Sequence, residues 1–187
     1  SCLYSPDVVA FAKRRGLYPP SAPPEKFSFS DTFDPVTFTG ARHGEARVWS
    51  VFNQVSGGAL ESYKHYVQGH DLDHRMPLFV EVQQKLTSND LMDLMRNHNE
   101  ASWFDNTDFD KLDVGAGPGH SPYRRRPLMW TSSGAKYVNE RTVSTQQTAW
   151  ALVAHSRPWL PDPIRALLWW APDDSGTAVR TPLYGGA

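Results

Sequence analysis

The last third of the chain, from Tyr137 to Tyr184, limits the possible folds more than any other part. Its pattern predicts a long strand from Val143 to Ser156, a buried strand at 166–171 and a closing strand at 177–184. The first half of the long strand is polar on both of its faces. Because polar residues inside a strand-rich core usually serve a site, we expect binding groups in this segment.

Length and charge limit the classes of protein to which this chain can belong. A chain of 187 residues fits a single domain, and 40% hydrophobic residues with 7 Trp and 9 Phe can build its core. A net charge of −1 argues against nucleic acid as a partner. No stretch approaches the roughly 18 apolar residues of a membrane span, so we expect no membrane partner either. The N-terminus lacks a signal-peptide pattern, and the localisation is left open.

Three helices and a long loop are predicted before the strands, and the first helix has Ser5 as its N-cap and ends at Gly16. The segment 45–55 has an apolar stripe at helical spacing, made up of Val48, Val51, Phe52 and Val55. A third helix begins at Thr87, where Asp90 completes a capping box, and its predicted buried face comprises Leu91, Leu94, Met95 and His98. Residues 100–127 are polar and turn-rich, which predicts a long loop. Helices followed by strands indicate an α+β fold.

Four sequence blocks in the chain carry a family resemblance. They are GHDLDHRMPLF (Gly69 to Phe79), LTSNDLMDLMRNH (Leu86 to His98), GAGPGHSPYRRRPLMW (Gly115 to Trp130) and the segment from Tyr137 to Tyr184. Together they resemble the dipeptidase A family, which are cysteine peptidases of the N-terminal-nucleophile hydrolase type. The resemblance implies hydrolysis of dipeptides through an acyl-thioester, without a cofactor. It also implies a four-layer αββα sandwich, of which residues 1–187 form a portion.

The start of the chain differs from the start of the family's enzymes. Those enzymes begin, after processing, with a cysteine followed by small hydroxylated residues, whereas this chain begins SCLYSPDVV. We therefore expect the nucleophile upstream of Ser1, and Cys2 to be a packing residue. The expected partners are a short peptide substrate and the remaining part of the same peptidase, and a homo-oligomer is a further option.

Two other functions fit the sequence. One is a non-catalytic domain or chain that completes the sandwich or mediates assembly. The other is an acyl-amide hydrolase of the choloylglycine hydrolase or penicillin acylase type, which shares the mechanism but not the substrate. In that wider group an arginine at the head of a helix lines the catalytic pocket.

By that positional similarity, Arg42 and Arg47 are the predicted catalytic residues. An arginine beside a terminal cysteine favours the thiolate and keeps the α-amine neutral. The two arginines are five residues apart, so in an α-helix they do not share a face. We expect one to serve the site and the other to pair near Glu45.

The predicted substrate-binding residues come from the polar segment and from the arginine-bearing loop. They are Asn139, Arg141, Gln146, Gln147 and Arg124. Amide and guanidinium donors can orient a peptide or stabilise an oxyanion, and an arginine such as Arg124 can bind a peptide carboxylate. Hydrogen bonding between sheet layers, or solvated arginines on a turn, would explain the same residues without a function.

Five residues with metal-ligand chemistry lie close together in the sequence, namely His65, His70, Asp71, Asp73 and His74. Their spacing does not put them on one face of a helix, and the resembled family is metal-free. We therefore expect no metal, and instead a hydrogen-bonded loop in which Asp71 or Asp73 pairs with Arg75 or a histidine.

Overall fold

The computed structural model describes residues 4–100, 102, 121, 123 and 128–186. Its α-helices are α1 (Val8–Arg14), α2 (Phe29–Phe33), α3 (Phe38–Gly40), α4 (Ala46–Val55), α5 (Lys64–Val67), α6 (Ser88–Leu94) and α7 (Asp162–Arg165). Its strands are β1 (Met129–Ser132), β2 (Ala135–Val138), β3 (Trp150–Ser156), β4 (Ala166–Pro172) and β5 (Thr181–Tyr184). Short 3₁₀ turns lie at Pro24–Lys26 and Glu61–Tyr63. The mixture confirms the α+β class.

A π-helical turn joins α3 to α4. The turn spans Ala41–Glu45, so the backbone is helical without a break from Phe38 to Val55. Thr37 begins this run, because its side-chain oxygen accepts a hydrogen bond from the Gly40 N–H at 3.1 Å. π-helical turns occur mostly as single turns inside helices and often at functional sites.

The core of the first half forms around Trp49 of α4. Its indole Nε1 donates a hydrogen bond to the Leu60 carbonyl at 2.7 Å, which satisfies the buried polar atom. The other buried members of this core are Ala46, Leu60, Tyr66, Val67 and Met76. The predicted stripe is wrong at Val48, which is 41% exposed, while Val51, Phe52 and Val55 are half-buried and Phe52 packs against this core. Burial of the larger Trp49 side chain shifts the buried face away from Val48.

The predicted start of α6 is confirmed. Thr87 accepts a hydrogen bond from the Asp90 N–H, and Asp90 in turn accepts one from the Thr87 N–H at 2.7 Å. The predicted buried face is wrong at Leu91, which is 40% exposed, while Met92 is buried. The helix packs against β3, and this contact decides which of its faces is covered.

The strands form two antiparallel sheets in the part of the chain that the structure describes. A hairpin pairs β1 with β2 in a register that brings Ser132 opposite Ala135. Its two-residue turn, Ser133 and Gly134, has positive φ at both residues (49° and 79°), as a tight hairpin requires. The second sheet has three strands in the order β3-β4-β5.

One face of the three-stranded sheet is buried and the other is apolar but exposed. Ala151, Val153, Leu167 and Ala171 lie on the buried face. The opposite face, which we call the outer sheet face, carries Trp150, Leu152, Leu168, Trp170 and Leu183. Leu152 pairs with Trp170 and Leu168 pairs with Leu183 across the strands. The prediction of a buried strand at 166–171 therefore holds for one face only among the described residues.

The predicted long strand is wrong, because β3 begins at Trp150 and not at Val143. Ser144 uses its backbone N–H to bind the Asn97 carbonyl at 3.0 Å and its hydroxyl to bind Asp174 at 2.6 Å. Thr142 donates a hydrogen bond from its hydroxyl to the Ser144 carbonyl. These side-chain and loop contacts compete with a strand ladder for the same backbone groups.

Asp174 is a buried carboxylate held by neutral donors. It accepts hydrogen bonds from the Ser144 hydroxyl, the Tyr123 hydroxyl and the Gly176 N–H. Burial acts to raise the pKa of Asp174, but these hydrogen bonds outweigh burial, so the pKa lies below its ordinary value. Burial and the bond to Asp174 raise the pKa of Tyr123 to about 12, so Tyr123 remains a donor at neutral pH.

We predict that Asp174 makes the stability of the protein acid-sensitive. Its folded-state pKa is lower than its unfolded-state value of about 3.9. The stabilisation is therefore complete above that value and is lost as the pH falls through the folded pKa. Asp174→Asn should cost about 1–3 kcal/mol near pH 7 and remove this part of the acid dependence, as measured by urea unfolding.

Asp173→Asn is the matched control. Asp173 is exposed, has a positive φ of 64° and accepts a hydrogen bond from the Asp174 N–H at 2.8 Å. Asn tolerates that backbone conformation and keeps the acceptor oxygen, so the control should unfold like the wild type. Equal pH dependence in Asp174→Asn and the wild type would contradict the assignment.

Candidate active site

Two segments that are far apart in sequence meet beside the π-helical turn. A hydrogen bond at 3.0 Å joins His43 Nε2 to the Asn139 carbonyl, and Arg42 forms an ion pair with Glu140. Arg141 lies next in the chain, and its charge acts on both His43 and Arg47. The structure thus brings together four of the predicted site residues, Arg42, Arg47, Asn139 and Arg141. We call this set, with His43 and Glu140, the arginine cluster.

The π-helical turn explains why both arginines belong to the cluster. Five residues separate Arg42 from Arg47, and the π-helical turn between them bonds residues five apart. A π-helical turn brings residues five apart closer to one face than an α-helix does, and the charges of both arginines act on His43. The expected pair with Glu45 is wrong, because Glu45 accepts a hydrogen bond from Arg75 at 3.0 Å.

The ion pair of Arg42 with Glu140 is largely buried. The side chains are 14% and 3% exposed, respectively. Removing one member of a buried pair leaves the other charge without compensation, which costs more than the pair itself contributes. Arg42 therefore has a structural task, which is to hold the Glu140 segment against the helix.

We predict that Arg42→Met lowers the free energy of unfolding by about 3 kcal/mol, because Glu140 stays buried without its cation. The double variant Arg42→Met with Glu140→Leu should recover most of that loss. Arg165→Met is a matched control, since the exposed pair of Arg165 with Asp162 should contribute less than about 1 kcal/mol. Denaturant unfolding measures all three, and an unchanged Arg42→Met would contradict the assignment.

His43 is a member of the cluster that the sequence did not predict. Burial lowers the pKa of His43, and the charges of Arg141, Arg42 and Arg47 lower it further, against the effect of the bond to Asn139. The imidazole is therefore neutral at neutral pH. Because the Asn139 carbonyl is an acceptor, Nε2 carries the proton and Nδ1 is left as an acceptor.

Arg47 and Arg141 carry the uncompensated charge of the cluster. The Nε atoms of both residues are buried and have no hydrogen-bond partner among the described residues. Burial lowers the pKa of Arg47, and the charge of Arg141 lowers it further. The cluster holds three guanidinium groups and one carboxylate, so it is electropositive in a chain whose net charge is −1. Such a site attracts an anion, such as a thiolate, an oxyanion or a carboxylate.

The other predicted binding residues lie elsewhere or outside the described residues. Gln146 and Gln147 are exposed, and Gln147 accepts a hydrogen bond from the Thr145 hydroxyl at 2.6 Å. Asn139 contacts His43 through its carbonyl. Arg124 lies outside the described residues, as do Cys2 and nearly all of the predicted loop at 100–127.

The histidine-rich loop has other contacts than those predicted. Arg75 binds Asp31 and Glu45, so the expected pairing of Arg75 with Asp71 or Asp73 is wrong. The ring of His74 stacks on Tyr63 with centroids 4.8 Å apart. In the part of the chain that the structure describes, no group of three His, Cys, Asp or Glu side chains is arranged to hold a metal ion.

A cavity of about 700 Å³ lies near the other end of α4. Amide and acidic side chains line much of it, among them Gln54, Gln83, Asp90, Asp93 and Asn97. The acidic groups already have partners, because Asp90 caps α6 and Asp93 binds Arg96 at 3.0 Å. The arginine cluster does not line this cavity. We place the candidate active site at the cluster, since it brings together three arginines and one carboxylate from two distant segments.

Among the described residues, no helix has the length and apolar character needed to cross a membrane. No curated protein and no solved structure matches the chain significantly. The model of peptidase family C69 matches residues 1–187, which confirms the resemblance to the dipeptidase A family. The chain therefore belongs to peptidase family C69, a family of peptide-bond hydrolases.

Proposed function

We propose that the protein is a cysteine-type dipeptidase whose arginine cluster forms part of the catalytic site. The observation that carries the proposal is that the buried Nε atoms of Arg47 and Arg141 have no hydrogen-bond partner among the described residues, in a chain of a peptidase family. The cluster supplies the positive charge that a thiolate nucleophile and an anionic tetrahedral intermediate both require.

In the proposed reaction, a cysteine thiolate attacks the carbonyl carbon of the peptide bond. The carbon–nitrogen bond breaks, the leaving nitrogen takes a proton, and the C-terminal amino acid departs. Water then attacks the acyl-thioester, which releases the N-terminal amino acid and regenerates the thiol. The attacking thiol belongs to an N-terminal cysteine upstream of Ser1, as the family resemblance implies, and its own α-amine serves as the base.

Arg47 is the catalytic arginine in this proposal, and Arg42 is a positioning residue. Arg42 forms an ion pair with Glu140, and this pair fixes the segment from Asn139 to Arg141 against the helix. Arg47 has no such counter-ion among the described residues, so its charge acts undiminished on a bound anion. The neutral His43 adds no further positive charge, and it donates a hydrogen bond to the Asn139 carbonyl.

The proposed fold is the four-layer αββα sandwich, of which this chain supplies a portion as one domain. The outer sheet face supports this part of the proposal, because its tryptophan and leucine side chains are exposed in the described residues. A second sheet packed on that face would bury them, as sheets in a sandwich bury their facing apolar residues. The remaining part of the peptidase would supply that sheet.

The test is an assay of the peptidase expressed with its upstream sequence. We expect it to hydrolyse unblocked dipeptides and to leave an N-acyl amide, such as a bile-salt conjugate, intact. The charged cluster favours a small zwitterionic peptide over an apolar acyl group. Hydrolysis of the acyl amide alone would assign the protein to the acyl-amide hydrolases, and no hydrolysis of either would favour a non-catalytic chain.

A further inference from the structure

Arg47 and Arg141 of the arginine cluster each have a buried nitrogen donor, the Nε atom, without an acceptor among the described residues. A buried charged donor without an acceptor is costly, because no hydrogen bond offsets its loss of hydration. A ligand that brings an acceptor oxygen removes that cost on binding.

The nearby acidic side chains are already committed to other arginines. Glu140 binds Arg42, and Glu45 binds Arg75 at 3.0 Å. Neither therefore neutralises Arg141. A negative charge at Arg141 has to come from outside the described residues, and a substrate is the simplest source of it.

The backbone on both sides of Arg141 is fixed. On one side Glu140 is held by Arg42, and on the other side the Thr142 hydroxyl donates to the Ser144 carbonyl. Ser144 is itself anchored by its N–H bond to the Asn97 carbonyl at 3.0 Å. Arg141 is thus presented from a rigid segment, which reduces the entropy cost of binding an anion.

We propose that Arg141 binds the C-terminal carboxylate of the dipeptide and thereby restricts hydrolysis to peptides that end one residue after the scissile bond. This inference rests on the proposed dipeptidase function. A planar guanidinium group matches a carboxylate with two parallel hydrogen bonds.

The covalent structure of a dipeptide requires two cations close together. Only the leaving nitrogen and one α-carbon separate the scissile carbonyl carbon from the terminal carboxylate. A group that binds the carboxylate must therefore lie beside the group that stabilises the reacting carbonyl. Arg141 directly follows Glu140, which pairs with Arg42, and lies two residues after Asn139, whose carbonyl is bonded by His43 at 3.0 Å, so this segment places Arg141 against the helix that carries Arg47.

The experiment uses the peptidase with its upstream sequence and compares a dipeptide with the C-terminal amide of the same dipeptide. The wild type should show a kcat/KM about 10- to 100-fold lower for the amide, the range expected from one charge-assisted interaction. Arg141→Met should lose that preference, mainly through a higher KM for the acid, so that kcat/KM falls about 10- to 100-fold further on the acid than on the amide. Arg141→Lys should keep part of the preference, because it retains the charge without the planar fork.

Each outcome decides the question. Equal kcat/KM for acid and amide in the wild type, or an equal loss on both substrates in Arg141→Met, would overturn the role of Arg141 while the dipeptidase function stands. No hydrolysis of either substrate by a folded wild type would overturn the proposed function and this inference with it. If Arg141→Met does not fold, the wild-type comparison and Arg141→Lys decide.

Discussion

In the peptidase with its upstream sequence, Arg47→Met should lower kcat/KM for dipeptide hydrolysis by about 30- to 1000-fold. This corresponds to about 2–4 kcal/mol of transition-state stabilisation, the range found when one preorganised electrostatic donor is removed. The reason is that the buried Nε of the positively charged Arg47 has no acceptor among the described residues, so its charge is available to the reacting groups. The loss should fall mainly on kcat, because the interaction strengthens as the oxyanion forms.

Arg42→Met and Arg165→Met separate catalysis from stability. Arg42→Met should destabilise the protein. The molecules that remain folded should nevertheless keep most of their kcat, because the charge of Arg42 is already neutralised by its ion pair with Glu140. Arg165 lies in an exposed pair on α7, so its variant should change neither quantity. Full activity in Arg47→Met would remove Arg47 from the site. A large kcat loss confined to Arg42→Met would instead make Arg42 the catalytic residue and Arg47 the positioning residue.

Local signals in the sequence predicted part of the fold well. The capping box of Thr87 and Asp90 was predictable because both hydrogen bonds lie within four residues. A second local signal, the Ser-Gly dipeptide of the hairpin turn at Ser133 and Gly134, is present in the sequence but was not part of the prediction. The long strand from Val143 failed because Ser144 makes contacts with Asn97 and Asp174, and such distant partners cannot be found from strand periodicity.

The candidate site shows the same division between local and distant information. Four of its residues were predicted from residue type and family resemblance, including Arg47 and Arg141. His43 was missed because no local pattern distinguishes it, since its place in the cluster depends on the Asn139 carbonyl, 96 residues away in the chain. Glu140 was missed because its role depends on Arg42, which lies 98 residues away in the chain. Their roles in the reaction remain predictions.

Thiol alkylation should abolish dipeptide hydrolysis, whereas Cys2→Ala should leave it intact. The proposed mechanism needs one thiolate, and we assign it to an N-terminal cysteine upstream of Ser1. Cys2 is the single cysteine of the given sequence, so its replacement separates the two candidates cleanly. Iodoacetamide treatment followed by a dipeptide assay measures the loss in the wild type and in Cys2→Ala. Resistance of hydrolysis to complete alkylation would exclude a cysteine mechanism altogether.

The central claim is that the arginine cluster acts on the thiol of an N-terminal cysteine. The most direct measurement is the pH dependence of alkylation, with the labelled residue identified by peptide mapping, in the wild type and in Arg47→Met. We expect the label on the N-terminal cysteine, a thiol pKa below the ordinary value of about 8.5 in the wild type, and a higher pKa in Arg47→Met. The account would be contradicted by a label on Cys2 that accompanies the loss of activity, or by the same thiol pKa in both enzymes.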